Sequence, residues 1–201
     1  MRTQIRIVAG ELRGRKVTCV VSKELRPTPQ MVREAFFSIL GNAIPGRVFI
    51  DIFSGTGVIG IEALSRGASQ AILIERDVEL SANIDKNLRE FELIRSAKLY
   101  RTDAYRWTAA WRAPAEPVNI FISPPFVDLK SRPEEMLNML KTLQEKVAED
   151  SVIVVQTERG SPLDDAELLR DWELRQYGRN ELRIWQRMPA SAVIEPEAPP
   201  S

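Results

Sequence analysis

Three acidic side chains in this sequence lie within or shortly after short apolar runs, and carboxylates at such positions can bind the polar groups of a ligand. Asp51 lies inside the apolar run Val48–Phe53, where an unpaired carboxylate costs several kcal/mol. Glu75 ends the run Ala71–Ile74, and Asp103 follows a third run further along the chain. Ligands of open α/β sheets bind beyond the carboxyl ends of the strands. The three carboxylates therefore predict one binding site along one edge of a sheet.

The segment that follows the first of these runs is rich in glycine. A Ser-Gly-Thr-Gly turn comes directly after Val48–Phe53, and apolar residues then return at helical spacing until Gly67. Glycine lets a backbone approach a ligand closely, and the first turn of a helix offers free N–H groups. Gly55, Gly57 and Gly60 alone also fit a dinucleotide-binding fingerprint. They indicate a nucleotide-like ligand without specifying it.

The charge of Asp51 favours a cationic ligand at this loop. S-adenosylmethionine has a sulfonium and an ammonium group that would give the carboxylate a partner, directly or through water, whereas the pyrophosphate of NAD would not. Glu75 would accept hydrogen bonds from two ribose hydroxyls, although a glutamate here also fits an exposed turn. Asp103 either accepts from an adenine amino group or caps the next helix, and the sequence leaves both alternatives open.

A second candidate cluster, Ser123, Pro124, Pro125 and Phe126, follows the predicted strand Val118–Ile122. Consecutive prolines stop a β-ladder and hold the backbone extended, which leaves carbonyl groups that neither sheet nor helix uses. A hydroxyl, a free carbonyl and an aromatic ring suit a flat base with an exocyclic amine, because the oxygens accept from the amine while the ring stacks. A Pro-Pro pair by itself is more often a rigid turn.

The N-terminal segment is basic. Residues 1–33 contain eight Lys or Arg and two Asp or Glu, a charge of +6, and since the whole chain is neutral the remainder carries −6. This asymmetry predicts a polyanionic partner at one end of the molecule, although a solvated hairpin with scattered charges explains it equally well. The predicted strands Ile5–Val8 and Arg15–Val20 would form that hairpin. The candidate phosphate contacts are Arg6, Arg13, Arg15, Lys16, Arg26 and Arg33.

The remaining segments complete the predicted architecture. Thr28 and Pro29 are predicted to be the N-cap and first residue of a helix that ends at Gly41. Two segments near the end of the chain, Trp172–Tyr177 and Leu182–Gln186, are predicted to form an antiparallel pair. The sequence thus predicts a basic hairpin and helix over residues 1–41, a catalytic domain over 42–188 and a proline-rich disordered tail over 189–201.

The composition of the chain limits the kinds of site and the cellular location that we expect. Cys19 is the single cysteine and the chain has no histidine, so neither a zinc site nor a disulfide framework is expected. A lone thiol fits a reducing cytoplasm. The sequence has no leader pattern and no apolar run of the length that a membrane span requires. We therefore expect a cytoplasmic protein without a metal.

Together the motifs resemble those of the bacterial ribosomal RNA guanine-N2 methyltransferases called RsmD. The resemblance extends from Arg6 to about Arg187. It includes several separate segments in the same order, namely Arg6–Gly10, Arg13–Arg15, Arg26–Thr28, Val32–Glu34, Asp51–Gly60, Glu62–Ala68, Glu75, Asn87, Pro124–Phe126 and Tyr177–Gly178. The family usually has Asp or Asn where this chain has Ser123, which is a weaker neutral acceptor.

The resemblance implies a fold, a cofactor and a substrate. The fold is α/β, with a Rossmann-like, seven-stranded, mostly parallel sheet whose last strand is antiparallel, extended by an N-terminal β-hairpin and helix. The implied enzyme is a monomer that methylates a 16S rRNA guanine at its exocyclic N2 within an assembling 30S particle. Ser123 to Phe126 would hold the target base. S-adenosylmethionine would be bound by Asp51, Phe53, Gly55, Gly57, Gly60, Glu75, Asp103 and Ala104.

Three alternatives to this activity stay open at the level of sequence. A nucleotide-dependent oxidoreductase would use the glycines and Glu75 but would leave Asp51 and Ser123 without a role. A non-catalytic RNA-binding protein with the same fold is suggested by the serine at position 123. An amino-methyltransferase acting on DNA or on another RNA would use the same residues.

Overall fold

The computed structural model of the 201-residue chain describes residues 2–20 and 27–189. Arg26, one of the candidate phosphate contacts, lies outside the described residues, as do positions 190–201 of the predicted tail. The strands are β1 (Arg2–Arg6), β2 (Lys16–Val20), β3 (Val48–Ile52), β4 (Gln70–Ile74), β5 (Ala97–Tyr100), β6 (Val118–Ile122), β7 (Val152–Glu158), β8 (Glu173–Tyr177) and β9 (Asn180–Gln186). The helices are α1 (Gln30–Leu40), α2 (Val58–Ser65), α3 (Val78–Glu90), α4 (Ala104–Ala110), α5 (Phe126–Ser131) and α6 (Pro133–Lys146).

One sheet organises the molecule, with the strand order β5-β4-β3-β6-β7-β9-β8. The strands from β5 to β7 in this order are parallel, and β9 is antiparallel to both β7 and β8. Helices cover both faces, and therefore the central strands β3 and β6 are almost entirely buried and apolar on both sides. The structure confirms the predicted α/β sheet with an antiparallel last strand.

The register of the central strands determines where the site forms. The last residues of β3, β4 and β6 are level with one another. The next residues along the chain, Phe53, Glu75 and Ser123, therefore leave the sheet at the same edge. This is the carboxyl edge, at which parallel α/β sheets bind ligands.

Two apolar layers hold the helices on the sheet. Because successive strand residues point to opposite faces, Phe49 packs in one layer and Ile50 in the other. The ring of Phe36 from α1 lies 4.6 Å from that of Phe121 in β6 and 6.0 Å from that of Phe49 in β3, centroid to centroid. These aromatic contacts fix α1 against the middle of the sheet.

The N-terminal hairpin packs on the same core. Strands β1 and β2 are antiparallel with Arg6 opposite Lys16, and Ile7 and Val17 belong to the apolar layer that contains Phe49. The first strand ends at Arg6, so the predicted bounds Ile5–Val8 are wrong. Ile7 still pairs across the hairpin, since its N–H donates to the carbonyl of Arg15 and its carbonyl accepts from Gly14, each at 2.9 Å. The bend begins at Ala9.

The start of α1 also differs from the prediction. The helix begins at Gln30, and its N-cap, Pro29, makes no side-chain capping hydrogen bond. Thr28 is buried and its Oγ1 lies 2.8 Å from Oε1 of Gln156 in β7. The hydroxyl of Thr28 therefore bonds to a distant strand, which is why it does not cap the helix.

None of the helices in residues 2–20 and 27–189 is both long and apolar enough to cross a membrane. The same residues contain no group of three or more His, Cys, Asp or Glu side chains arranged to hold a metal ion.

Candidate active site

The backbone of the loop after β3 is bent at three alternate residues. Phe53, Gly55 and Gly57 have positive φ angles of 62°, 53° and 72°. A non-glycine residue in this region is uncommon and costs roughly 1–3 kcal/mol. Such strain concentrates at ligand-binding sites, and Phe53 lies at the position where the chain leaves the sheet.

Two of the glycines are also required by packing. A Cβ atom on Gly57 would lie 2.9 Å from Cγ1 of Ile84, and one on Gly60 would lie 2.9 Å from Cδ2 of Leu73. Gly60 has no positive φ angle, so close packing of α2 against β4 is the reason for glycine there. The glycine pattern thus serves both the shape of the loop and the approach of the helix.

Asp51 lies beneath this loop and is only 1% exposed. Its Oδ2 accepts a hydrogen bond of 3.1 Å from the backbone N–H of Gly60 in the first turn of α2. Burial raises the pKa of the Asp51 carboxyl to about 7, with the hydrogen bond from Gly60 opposing the shift and the charge of Glu75 adding to it. The carboxylate therefore has a partner within the protein, and its contact with a cationic ligand stays a prediction.

Glu75 connects the ends of β4 and β3. Its Oε2 accepts from the N–H of Gly55 and its Oε1 from the N–H of Asp77, each at 2.8 Å. The side chain is therefore not the solvated turn residue of the alternative interpretation. A carboxylate has about four acceptor positions, so two hydrogen bonds leave capacity for the hydroxyls of a ribose.

The structure shows the capping role of Asp103. Its Oδ1 accepts from the backbone N–H groups of Tyr105 and Arg106, at 3.0 and 3.1 Å, and its Oδ2 lies 2.9 Å from Nη1 of Arg132. Ala104 is buried as the first residue of α4. A contact of either residue with the adenine ring stays a prediction, and both side-chain oxygens of Asp103 already have partners.

The Ser-Pro-Pro-Phe segment leaves the sheet beside the glycine loop. The N–H of Ser123 donates to the carbonyl of Ile52 in β3 at 3.3 Å, which ties the two segments together. Among the described residues, neither the hydroxyl of Ser123 nor the carbonyl of Pro124 has a hydrogen-bond partner. Both oxygens are thus free to accept from a substrate.

The expectation that both proline carbonyls stay free is wrong for Pro125. Its carbonyl accepts from the N–H groups of Asp128 and Leu129, at 2.9 and 3.3 Å, because α5 starts immediately afterwards. Pro125 itself is extended, with φ −58° and ψ 141°. Phe126 opens α5 and is 54% exposed, and Nζ of Lys130 lies 4.7 Å from the centre of its ring. The free face of this ring is available for stacking.

A narrow cavity of about 50 Å³ joins the two clusters. Asp51, Phe53, Gly55 and Ser123 all line it, so the structure brings together residues from both halves of the predicted site. Its further lining residues, which the sequence analysis did not assign to the site, are Pro27, Thr28, Ser54, Thr56, Val58, Ile59 and Phe121. A larger open cleft of about 520 Å³ lies between Gly10 and Arg66 and contains none of the predicted site residues.

Four of the candidate phosphate contacts are exposed on the hairpin. Arg6, Arg13, Arg15 and Lys16 all face solvent. The guanidinium carbon of Arg15 lies 4.3 Å from the centre of the Phe91 ring, so this side chain also helps to dock the hairpin. The hairpin thus presents a cluster of positive charges, and its contact with RNA stays a prediction.

Arg33 is not on this surface, and its assignment as an RNA contact is wrong. The residue is 2% exposed, its Nη2 donates to the carbonyl of Arg6 at 2.9 Å and its Nε lies 3.5 Å from Oε2 of Glu62. Burial lowers the pKa of its guanidinium, and the charge of Glu62 opposes that shift. Arg33 therefore joins the hairpin, α1 and α2 inside the protein.

Comparison with known proteins identifies relatives over almost the whole chain. Residues 5–186 match the family described as Conserved hypothetical protein 95. The chain is 35% identical over 189 residues to ribosomal RNA small subunit methyltransferase D of Escherichia coli (strain K12), which covers 92% of this chain and 90% of that protein. It is 34% identical over 156 residues to YlbH of Bacillus subtilis (strain 168), covering 77% and 83% respectively.

Solved structures share the architecture. The Escherichia coli protein yhhF superposes with a TM-score of 0.74 at 32% identity, covering 92% of this chain and 99% of that one. The T. thermophilus 16S rRNA N2 G1207 methyltransferase (RsmC), solved with AdoMet and guanosine, gives a TM-score of 0.70 at 15% identity, covering 93% of this chain and 50% of that one. The second likeness is one of fold.

Proposed function

Because the chain belongs to the family of ribosomal RNA small subunit methyltransferase D, we propose that it transfers a methyl group from S-adenosylmethionine to N2 of a guanine in 16S rRNA. One observation supports this most directly. The free oxygens of Ser123 and Pro124 leave the sheet beside the glycine loop, on the strand adjacent to β3. S-adenosylmethionine bound at the glycine loop and a guanine bound at the Ser-Pro-Pro-Phe segment would therefore meet at the same edge of the sheet.

The cofactor proposal rests on the chemistry of the loop. The glycines allow a ligand to approach the backbone, Glu75 has acceptor capacity for a ribose, and Asp51 supplies a carboxylate beneath the loop. The sulfonium methyl group would then point toward Ser123 across the cavity that the two segments share. Asp51 would interact with the positive charge of the ligand, directly or through water.

The target amine needs help because its lone pair is delocalised into the guanine ring. The hydroxyl of Ser123 and the carbonyl of Pro124 would accept the two amino hydrogens and favour a pyramidal nitrogen, while Phe126 stacks on the ring. Bound S-adenosylmethionine would supply the methyl group to this nitrogen, and its sulfur would keep the electron pair of the sulfur–methyl bond that breaks. The methylated nitrogen would lose its proton to solvent, so no strong base is needed. Most of the rate enhancement would then come from positioning.

The substrate must leave its base stack to reach this site, at a cost of a few kcal/mol. Phosphate contacts from Arg6, Arg13, Arg15 and Lys16 would offset part of that cost. We propose that the protein acts as a monomer in the cytoplasm, on 16S rRNA within an assembling 30S particle. The hairpin shares an apolar layer with the central sheet, which supports the proposal that the hairpin and the site contact the same RNA.

The decisive experiment is methyl transfer from tritiated S-adenosylmethionine to 30S particles isolated from cells that lack the gene. We expect tritium in 16S rRNA, and nuclease digestion should return N2-methylguanosine. Particles from cells that keep the gene are the control and should accept little label. Tritium on another base or on DNA, or no transfer of tritium at all, would contradict the proposal. Tighter calorimetric binding of NAD than of S-adenosylmethionine would favour an oxidoreductase.

A further inference from the structure

A buried carboxylate of α5, Asp128, has no part in the chemistry described above. The residue is 2% exposed, and it follows the Ser-Pro-Pro-Phe segment by two positions. An ionised group in this setting is costly unless it is paired and hydrogen-bonded. Leu129 next to it is equally buried and already anchors α5 by apolar packing. The helix thus has an anchor that does not depend on charge.

The partners of Asp128 both come from the cofactor side of the site. Its Oδ1 lies 3.1 Å from Nη2 of Arg76, which directly follows Glu75. Its Oδ2 accepts from the hydroxyl of Tyr105 at 3.3 Å, and the ring of Tyr105 meets that of Phe53 edge-on with centroids 5.7 Å apart. One carboxylate therefore connects α5 to Arg76, the second residue after β4, and through Tyr105 to Phe53 of the glycine loop.

A second contact strengthens the same connection. Arg132, at the start of α6, donates to Oδ2 of Asp103 at 2.9 Å, and its guanidinium carbon lies 3.9 Å above the Tyr105 ring. Arg76 lies 3.8 Å from the same oxygen of Asp103. The segment from Ser123 to Arg132 is thus held by ion pairs at Asp128 and at Arg132, and both pairs end on the elements that form the cofactor edge.

We propose that Asp128 is a positioning residue, which fixes the distance between the acceptor segment and the bound cofactor through Arg76 and Tyr105. This inference rests on the proposed function. Because α5 begins at Phe126 and its first turn bonds back to the carbonyl of Pro125, a shift of Asp128 moves the stacking ring and the adjacent acceptor oxygens together. Asp51, Gly55 and Glu75 stay in place, since their hydrogen bonds are made among β3, the residues after β4 and the start of α2.

The test compares Asp128→Asn with wild type in single-turnover methyl transfer at saturating S-adenosylmethionine and 30S particles. A misplacement of about 1 Å can cost on the order of a hundredfold in rate, so we expect a loss of roughly 10- to 100-fold. Calorimetric affinity for S-adenosylmethionine should change by less than about threefold. Tyr105→Phe, which keeps the ring and removes only the hydroxyl, should give a smaller loss of the same kind.

Asp85→Asn is the matched control. It removes one carboxylate charge from an exposed ion pair with Arg89 on α3, and it should leave both the rate and the affinity unchanged. Thermal unfolding of each variant shows whether it is folded. If Asp128→Asn does not fold, Tyr105→Phe still tests the proposal.

A double-mutant cycle separates positioning from a general loss of structure. Because Asp128 would place the ring of Phe126 together with the acceptor oxygens, Asp128→Asn should lower the rate by a smaller factor in the Phe126→Ala background than in wild type. Fully additive effects, a wild-type rate for Asp128→Asn and Tyr105→Phe, or equal losses of rate and cofactor affinity would each overturn the inference. Failure of the proposed function is distinguishable, because wild-type protein would then transfer no methyl group to the particles.

Discussion

Ser123 is the residue at which the chain departs from the family it resembles. Its hydroxyl has no partner among the described residues, and its backbone N–H is fixed on β3. A neutral acceptor forms a weaker hydrogen bond than a carboxylate, by about a factor of two. We therefore expect the positioning of the target amine to depend more on the Pro124 carbonyl and on Phe126 than it would with an acidic residue at position 123.

Three variants test this division of roles at the acceptor. Ser123→Ala should lower the single-turnover rate only about threefold to tenfold, because a neutral hydrogen bond contributes roughly 0.5–1.5 kcal/mol. Ser123→Asp should equal or exceed wild type. Phe126→Ala should cost more than Ser123→Ala, since stacking of a base on an aromatic ring contributes roughly 1–3 kcal/mol. A wild-type rate for Ser123→Ala combined with an inactive Ser123→Asp would exclude the serine from amine binding.

Asp51 gives the folded protein a specific dependence on pH. In the unfolded chain its pKa has the ordinary value of 3.8, whereas burial raises the folded value to about 7. The folded state binds this proton more tightly, so the stabilisation is full below the unfolded pKa and is lost as the pH rises through the folded pKa. Asp51→Asn, which cannot titrate, should therefore gain stability relative to wild type between about pH 4 and pH 7.

Denaturant unfolding of wild type, Asp51→Asn and the exposed-site control Asp165→Asn across this pH range measures the effect. The difference between wild type and Asp51→Asn should be constant above about pH 8. A difference that does not change with pH would mean that Asp51 titrates alike in both states. Asp165→Asn should follow the wild-type curve in shape.

At the scale of elements, the hairpin is held by specific polar contacts with α2 and α3. Ser65 at the end of α2 accepts from the N–H of Glu11 through its carbonyl and donates from its hydroxyl to the carbonyl of Ala9. Asn87 of α3 exchanges two hydrogen bonds with the backbone of Thr18, at 3.2 and 2.9 Å. The hairpin loop is therefore docked on α2 and strand β2 on α3.

Two glycines in the hairpin loop separate backbone strain from docking. Gly10 and Gly14 have similar positive φ angles of 83° and 87°, but a Cβ atom on Gly10 would lie 1.7 Å from the Ser65 carbonyl oxygen while one on Gly14 would meet nothing within 4 Å. Gly14→Ala should destabilise the protein by about 1–2 kcal/mol through strain alone. Gly10→Ala should cost clearly more in denaturant unfolding, and equal costs would show that the loop does not dock on α2.

The whole molecule combines a basic hairpin with an acidic body. Residues 1–33 carry a charge of +6 and the remainder −6, and the hairpin within the basic segment shares its apolar layer with the central sheet. Positive charge is thus rigidly attached to the domain that holds the site. A polyanion bound to the hairpin would be held at a fixed orientation relative to that site, which a flexible arm would not achieve.

This arrangement predicts the salt dependence of RNA binding. Replacing Arg13 and Lys16 with Ala should reduce the slope of log affinity against log salt by roughly 0.7–0.9 for each lost phosphate contact. Affinity for S-adenosylmethionine should not change, since both side chains lie outside the cofactor site. Arg170→Ala removes an exposed charge from the other end of the chain and should leave the slope unchanged. An unaltered slope after replacement of Arg13 and Lys16 would show that these two side chains do not contact phosphates and are only solvated.

The sequence by itself was sufficient to predict the parallel sheet, the glycine loop and the edge at which Asp51, Glu75 and Ser123 meet. These features follow from local patterns, because apolar runs, turn residues and the order of strands and helices are written within short segments. The level register of β3, β4 and β6 then brings the three residues together. The structure was needed to show which carbonyl beside the loop is free, because that of Pro125 accepts from Asp128 and Leu129 whereas that of Pro124 has no partner among the described residues.

Only the tertiary structure decided which polar side chains are used inside the protein. Thr28 bonds to Gln156, which is 128 positions away, and Arg33 is buried against Glu62 and the backbone of the hairpin. Asp103 caps α4 and pairs with Arg132. A polar residue has the same local pattern whether it faces solvent or a partner brought close by folding, because the partner's position depends on how distant elements pack.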